Sequence, residues 1–345
     1  MIAFAPTDDA SARADWAELI KAFPAARVHA DARWLEVVAR AFGVRATFVL
    51  ARDSAGAVRA GVAGYYSRNL RGRRLFYSLR QGVLTRDPAA LSPLISAVEA
   101  DSRLRGCSQA VVGGGPEALP GPYRGSVQTT LNLDLGGGVE SLWAGFGNKV
   151  RNTIRRAERS GLQVSHDLGH LSDFHAIYAR AMTDRHANVR ELGFFRAIFE
   201  VFGHEARLYT ALADGRACGA MVVVSVGGYA AYLFGAFDEQ GRHMSANTML
   251  LWQVTRELIG EGVVSLDLGP SKPDSGAYRF KRHIGGVPQK LHYVDLLHPP
   301  QSAAAADSST PVTAVLSRLD RTIGHLPFAL RKPVRTWLGR TGRLL

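Results

Sequence analysis

The sequence predicts an α/β (α+β) protein of two similar units, each a mixed, largely antiparallel sheet flanked by helices, with a basic helical tail behind them. Three observations lead there. One order of elements (helices, antiparallel strands, a helix, a strand) occurs before Gly136-Gly137-Gly138 and recurs after it. Asp214-Gly215 and Gly227-Gly228 separate alternating apolar segments in the manner of hairpin turns. Pro299 to Pro311 has linker composition, and amphipathic helical stretches follow it. The expected division is therefore 1–135, 136–298, a linker at 299–311 and a tail at 312–345.

Residues 12–42 read as helices interrupted at Pro24, because Trp16, Leu19, Ile20 and Phe23, then Trp34, Leu35, Val38 and Phe42, recur at three- and four-residue spacing. Thr47 to Arg52 and Val58 to Arg68 form a strand pair around the turn Asp53-Ser54-Ala55-Gly56, and Arg73 to Leu79 is a further strand. Pro88 sits in the first turn of a helix reaching Arg103, where its missing N–H costs nothing. Gln109 to Val112 and Val127 to Leu135 complete the first half. In the second half a helical region begins at Val139 and breaks near Gly145 and Gly147. A strand at Leu162 to Ser165 and helices at Leu171 to Arg185 and Glu191 to Phe202 follow. Next come three strands, Ala206 to Ala213, Ala217 to Val226 and Tyr229 to Phe237, and a helix capped by Ser245 that runs to about Glu261. Val263 to Leu268 is a buried strand, then a loop and short helix, then an alternating segment from Gln289 to Leu297.

A length of 345 residues fits two domains, and 46% hydrophobic residues supply their cores. No apolar run approaches the ~20 residues that span a bilayer, and Met1 to Asp15 lacks a signal-peptide core, so a cytoplasmic location is expected. Cys107 and Cys218 are too few and too distant for a disulfide framework or a zinc site, and no metal is expected. The net charge of +12 favours an anionic partner. The sequence has no Gly-x-Ser-x-Gly, no Gly-x-x-x-x-Gly-Lys-Ser/Thr, no His-Glu-x-x-His and no Cys-x-x-Cys, leaving serine hydrolases, P-loop NTPases, zincins and zinc ribbons without support.

Two stretches concentrate the chemistry. In Asn148 to Leu162, Arg151, Arg155 and Arg159 recur every four residues, opposite an apolar stripe of Val150, Ile154 and Ala157. Such a row, with Lys149 and Asn152, suits phosphate oxygens, which arginine binds two at a time, and equally suits a solvated helix face. In Gly269 to Gly286, Ser271, Lys272, Ser275, Tyr278, Phe280 and Lys281 are interleaved after the buried strand. A lysine there can stabilise an oxyanion formed during acyl transfer, and Asp267 and Asp274 lie nearby. Tyr229, Tyr232 and Phe234 line a groove or fill a core. His166 and His170 flank Gly169 and read as loop histidines; Asp184 to Asn188 is a cleft-lining polar cluster or a helix cap.

The segment Asn148-Lys149-Val150-Arg151-Asn152-Thr153-Ile154-Arg155-Arg156-Ala157-Glu158-Arg159-Ser160-Gly161-Leu162 resembles a motif of FemAB-like proteins. Gly269-Pro270-Ser271-Lys272-Pro273-Asp274-Ser275-Gly276-Ala277-Tyr278-Arg279-Phe280-Lys281, with Gly285-Gly286, resembles a later motif of the same family. In element order the resemblance runs over roughly residues 12–297, and it is nearest the FemAB-related group associated with exopolysaccharide and exosortase loci. It implies two tandem GNAT-like domains. Peptidoglycan-building members transfer an amino acid from aminoacyl-tRNA to the peptide of a nucleotide- or lipid-linked sugar precursor, with a Phe-Lys pair at the active site. Here that pair is Phe280 and Lys281. The sequence departs from the family in lacking the long helical-hairpin insertion of some members. It also lacks the Arg/Gln-x-x-Gly-x-Gly/Ala loop that holds coenzyme A in ordinary GNAT enzymes. Arg242-His243-Met244-Ser245-Ala246-Asn247 stands there, a helix start whose amides, with Ser245 and Asn247, can still meet an anion.

The expectation is an acyl- or aminoacyl-transferase acting on a cell-envelope or exopolysaccharide precursor. Lys281 and Phe280 would be catalytic, and Lys149, Arg151, Asn152, Arg155, Tyr232, Ser271, Lys272, Ser275 and Tyr278 would bind a phosphate-bearing small-molecule or lipid-linked substrate. The donor is aminoacyl-tRNA or acyl-CoA, with no cofactor fixed. Two alternatives stand beside it: a CoA-dependent GNAT N-acetyltransferase on a small amine, and a non-catalytic membrane or nucleic-acid adaptor. In the last 28 residues seven cations oppose only Asp320, so the tail suits the inner face of an anionic membrane or packs on the body.

Overall fold

The computed structural model describes residues 3–69, 72–185 and 187–300. The expected tail, nearly all of the expected linker, and His186 of the polar cluster lie outside the described residues.

The strands are β1 (Ala3–Thr7), β2 (Arg45–Arg52), β3 (Val58–Arg68), β4 (Arg74–Thr85), β5 (Cys107–Gly115), β6 (Arg124–Asp134), β7 (Gln163–Ser165), β8 (Ala206–Ala213), β9 (Arg216–Val226), β10 (Tyr229–Phe237), β11 (Ser265–Pro270) and β12 (Val287–Asp295). The helices are α1 (Ala10–Ile20), α2 (Arg33–Phe42), α3 (Pro88–Leu104), α4 (Gly138–Gly145), α5 (Asn148–Glu158), α6 (Leu171–Asp184), α7 (Leu192–Phe202), α8 (Glu239–His243), α9 (Ala246–Gly260) and α10 (Gly276–His283).

The mixed, largely antiparallel architecture expected from the sequence is present, and the strands of both halves join in one twelve-stranded sheet, ordered β1-β2-β3-β4-β5-β12-β6-β11-β10-β9-β8-β7. Among the described strands, β4–β5 and β10–β11 pair in parallel and the others antiparallel, so each half carries one parallel step. The last strand, β12, crosses back to lie between β5 and β6. Its register runs from Val287↔Asn132 to Asp295↔Arg124 on one side and from His292↔Gly115 to Asp295↔Val111 on the other.

Alternation of side chains across the strands sends apolar residues to both faces of this sheet. On one face α1 and α2 meet α6 and α7 in a single core containing Trp16, Trp34, Phe48, Phe174, Phe195 and Phe202. Trp34 packs against Phe202 with ring centroids 4.7 Å apart, so the halves share this layer. The opposite face has two cores. One sets α3 (Leu94, Ile95, Val98) over the first half; the other sets α5 and α9 (Ile154, Leu250, Leu258) over the second.

Several differences from the sequence reading have local causes. β4 continues to Thr85 because a bulge interrupts it: Val62 pairs with Val83 and Gly64 with Ser78, leaving Leu79 to Gly82 opposite Ala63 alone. Gln81 in that bulge has φ 56°, a left-handed conformation costly for a residue with a β-carbon. β1 and the short α8, five residues each, are additions to the sequence reading. Ser245 precedes α9 as expected, but at φ 61° its side chain does not cap the helix.

Candidate active site

The second parallel step opens at its end. β10 and β11 stay in register from Tyr229↔Ser265 to Ala231↔Asp267, and then β10 bulges between Tyr232 and Phe234. Past that point β11 leads into Gly269, whose φ of +81° needs a residue without a β-carbon. A β-carbon there would stand 3.3 Å from the Tyr232 carbonyl oxygen and 3.7 Å from Lys281 Nζ.

Lys281 reaches this opening from α10. Ser275 caps that helix, its Oγ accepting from the Tyr278 N–H at 3.1 Å. Tyr278 and Phe280 pack partly buried against the second-half core and hold the helix face down. Lys281 Nζ then donates to the Gly269 carbonyl at 2.9 Å. Burial lowers the Lys281 amine to about 8; Asp267 pushes it back up and Arg80 lowers it further.

Asp267 is the charged centre beneath. It is 8% exposed. Oδ2 accepts from His29 Nε2 at 2.8 Å and from Arg80 Nη2, while Oδ1 accepts from Thr130 Oγ1 at 2.5 Å and from the Gly269 N–H at 2.7 Å. Burial raises this carboxyl, but Arg80, His29 and Thr130 outweigh burial and hold it far below the usual range. An ionised carboxylate only accepts, so His29 carries its proton on Nε2. Burial and the Arg80 charge lower the His29 pKa, against the pull of Asp267, and the ring stays neutral.

The sequence reading placed Asp267 near the site and missed His29, Arg80 and Thr130. The signal available was a carboxylate inside an apolar strand, which requires partners. Those partners lie 238, 187 and 137 residues away in sequence.

The remaining expected residues divide. Tyr232 sits at the β10 bulge, its ring over Gly235, with burial pushing its phenol up. Phe234 lies in the aromatic core, edge-on to Tyr178 and Phe195. Ser271 donates its N–H to the Thr129 carbonyl, and its Oγ is buried without a partner among the described residues. Lys272 is exposed. On α5, Lys149 and Asn152 are exposed, but Arg151 is engaged by Asn148 Oδ1 at 2.7 Å and by the Trp143 carbonyl at 3.4 Å, and Arg155 lies over the Trp143 ring at 5.4 Å. Arg156, outside the expected row, donates to Ser245 Oγ at 3.0 Å. The Asn247 Oδ1 nearby is buried without a partner among the described residues. Val150 and Ile154 of α5 line one small apolar gap with Ile284, just beyond α10, so these two basic segments meet over an apolar floor. A depression of about 420 Å³ lined by Asp173, Asp214, Arg216 and Asp238 contains none of the motif residues. His170 pairs with Asp173, and His166 packs edge-on against Tyr209.

Residues 146–282 match the family described as "Acetyltransferase (GNAT) domain". No curated protein sequence matches the chain. The fold is similar to the crystal structure of FemX (TM-score 0.65, 13% identity, 84% of this chain and 97% of that one). It is also similar to a tandem GNAT protein from the clavulanic acid biosynthesis pathway (0.57, 15%, 86% and 99%). A third likeness is the C-terminal domain of a protein assigned as a lysylphosphatidylglycerol synthetase from Agrobacterium fabrum (0.52, 11%, 92% and 96%). Residues 146–282 thus resemble an acetyltransferase (GNAT) domain, and the chain as a whole has a fold similar to that of FemX and of a tandem GNAT protein, as the sequence led one to expect.

Proposed function

We propose that the chain transfers an acyl or aminoacyl group to an amine of a cell-envelope or exopolysaccharide precursor, with Lys281 as the group that steadies the oxyanion. The observation that carries this reading is a half-buried ammonium held where β10 and β11 part. An amine lowered to about 8 is still mostly protonated at neutral pH and has lost much of its water, so it donates strongly to a developing negative oxygen. The acceptor nitrogen attacks the acyl carbonyl, a C–N bond forms, and the bond to the donor's oxygen or sulfur breaks. The proton lost by nitrogen passes to that leaving atom through the substrate. Asp267 is unsuited to take it, because its carboxylate already accepts four hydrogen bonds. Phe280 and Tyr278 shape the apolar side of the site, and Lys149, Asn152, Ser271 and Lys272 supply polar contacts to a phosphate-bearing acceptor. The names of FemX and of the lysylphosphatidylglycerol synthetase support the reading at the level of fold, the second also pointing toward a lipid-linked acceptor and an aminoacyl donor.

Turnover of Lys281→Ala, assayed with aminoacyl-tRNA and acyl-CoA donors against amine-bearing envelope precursors, tests it. A large loss of kcat is expected; an unchanged rate removes the lysine from the mechanism.

A second reading, a CoA-dependent N-acetyltransferase, draws on the start of α9, where Arg156 meets Ser245 and the Ser245 side chain caps no amide of the first turn. Calorimetric titration with acetyl-CoA tests the second reading. Binding that weakens in Arg156→Ala favours it, and no heat counts against it.

A further inference from the structure

Two residues of the first half end on a carboxylate of the second. His29 lies between the turn at Pro24–Ala26 and α2. Arg80 projects from the β4 bulge. Their side chains are 11% and 14% exposed, and both bind Asp267 Oδ2. The other oxygen of the same carboxylate holds the N–H of Gly269, two residues on. The carbonyl of Gly269 is in turn the acceptor for Lys281 Nζ. A continuous hydrogen-bonded path therefore runs from first-half side chains, through one carboxylate and one glycine, to the amine. A carboxylate needed only for packing would not require a strained neighbour. Here the bulge that delivers Arg80 leaves Gln81 left-handed, with its Oε1 buried and without a partner among the described residues.

We propose that His29 and Arg80 are positioning residues for Lys281, acting through Asp267 and Gly269, so that the reacting group of the second half is set by how the first half is seated. This rests on the reading of Lys281 as the oxyanion donor. The charged and titratable groups facing the amine are Asp267 on β11, Arg80 on β4 and, behind Asp267, His29.

The test uses the full chain and needs no substrate. Lysines are trace-labelled with isotopic acetic anhydride from neutral to alkaline pH, and the rate at Lys281 is read by mass spectrometry against exposed Lys272 and Lys290. The native chain is expected to give a midpoint near 8 at Lys281. Asp267→Asn removes the anion and should lower that midpoint by about one unit, roughly five- to sixfold in neutral amine at pH 7. Arg80→Gln should raise it. His29→Gln keeps an N–H toward the carboxylate and should stay near native, while His29→Leu should change the Lys281 rate several-fold. Should Asp267→Asn not fold, the two His29 variants decide. Lys281 labelling that is the same in Arg80→Gln and His29→Leu as in the native chain, with the reference lysines unchanged, overturns the proposal. Full turnover in Lys281→Ala would instead overturn the catalytic reading and leave the labelling result standing, so the two failures are distinct.

Discussion

Lys281 Nζ and the carbonyl oxygen of Gly269 are 2.9 Å apart, although the residues belong to different elements and Gly269 carries a φ of +81°. If the protonated amine is the working form, turnover falls as pH rises through about 8, because burial has brought the amine down to that value. A lysine acting as base gives the opposite limb. A pH profile of kcat decides between them.

Gly269→Ala brings a left-handed strain of about 1–2 kcal/mol and a β-carbon 3.3 Å from the Tyr232 carbonyl. A lower melting temperature and reduced turnover are expected together. Gln81→Gly is the converse case. It relieves a left-handed non-glycine residue and removes a buried unpartnered oxygen, and should raise stability by about 1 kcal/mol in denaturant titration.

Acid should destabilise the protein in two steps. Below pH 6.5 the unfolded chain protonates His29 while the folded chain, where burial lowers that pKa, resists. Below 3.8 the same holds for Asp267, whose folded carboxyl lies lower still. In both windows the unfolded state binds more protons, so stability falls with pH. His29→Gln should flatten the upper window in denaturation midpoints measured against pH.

Trp34 is 3% exposed, donates its Nε1–H to the Val28 carbonyl at 2.6 Å and packs on Phe202. Trp34→Ala should cost about 3–5 kcal/mol. Since the two residues belong to different halves, tryptophan fluorescence and far-UV dichroism should report one coincident unfolding transition.

Element types were legible in the sequence because periodicity is local. The Ser275-capped helix, the Asp214-Gly215 turn and the β8–β10 strands all follow from neighbours within a few residues. The motif residue Lys281 was legible through resemblance. The carboxylate network was not, because His29 and Arg80 become neighbours of Asp267 only after the sheet forms, and nothing in their own surroundings marks them. The four-residue spacing of the arginine row lies on one helix, but carbonyls at the α4–α5 junction draw Arg151 inward, and Arg156, outside the row, is the side chain that meets Ser245.

The placement of β12 between β5 and β6 also has a consequence for how the chain is made. Within the first 135 residues β5 and β6 do not pair with each other; each waits for a strand that begins at Val287. A ribosome adding roughly 5–20 residues per second therefore exposes two unfilled strand edges for many seconds before the strand that joins them emerges. Such edges invite pairing with other chains. Nascent first halves are therefore open to aggregation and to chaperone capture until that strand arrives.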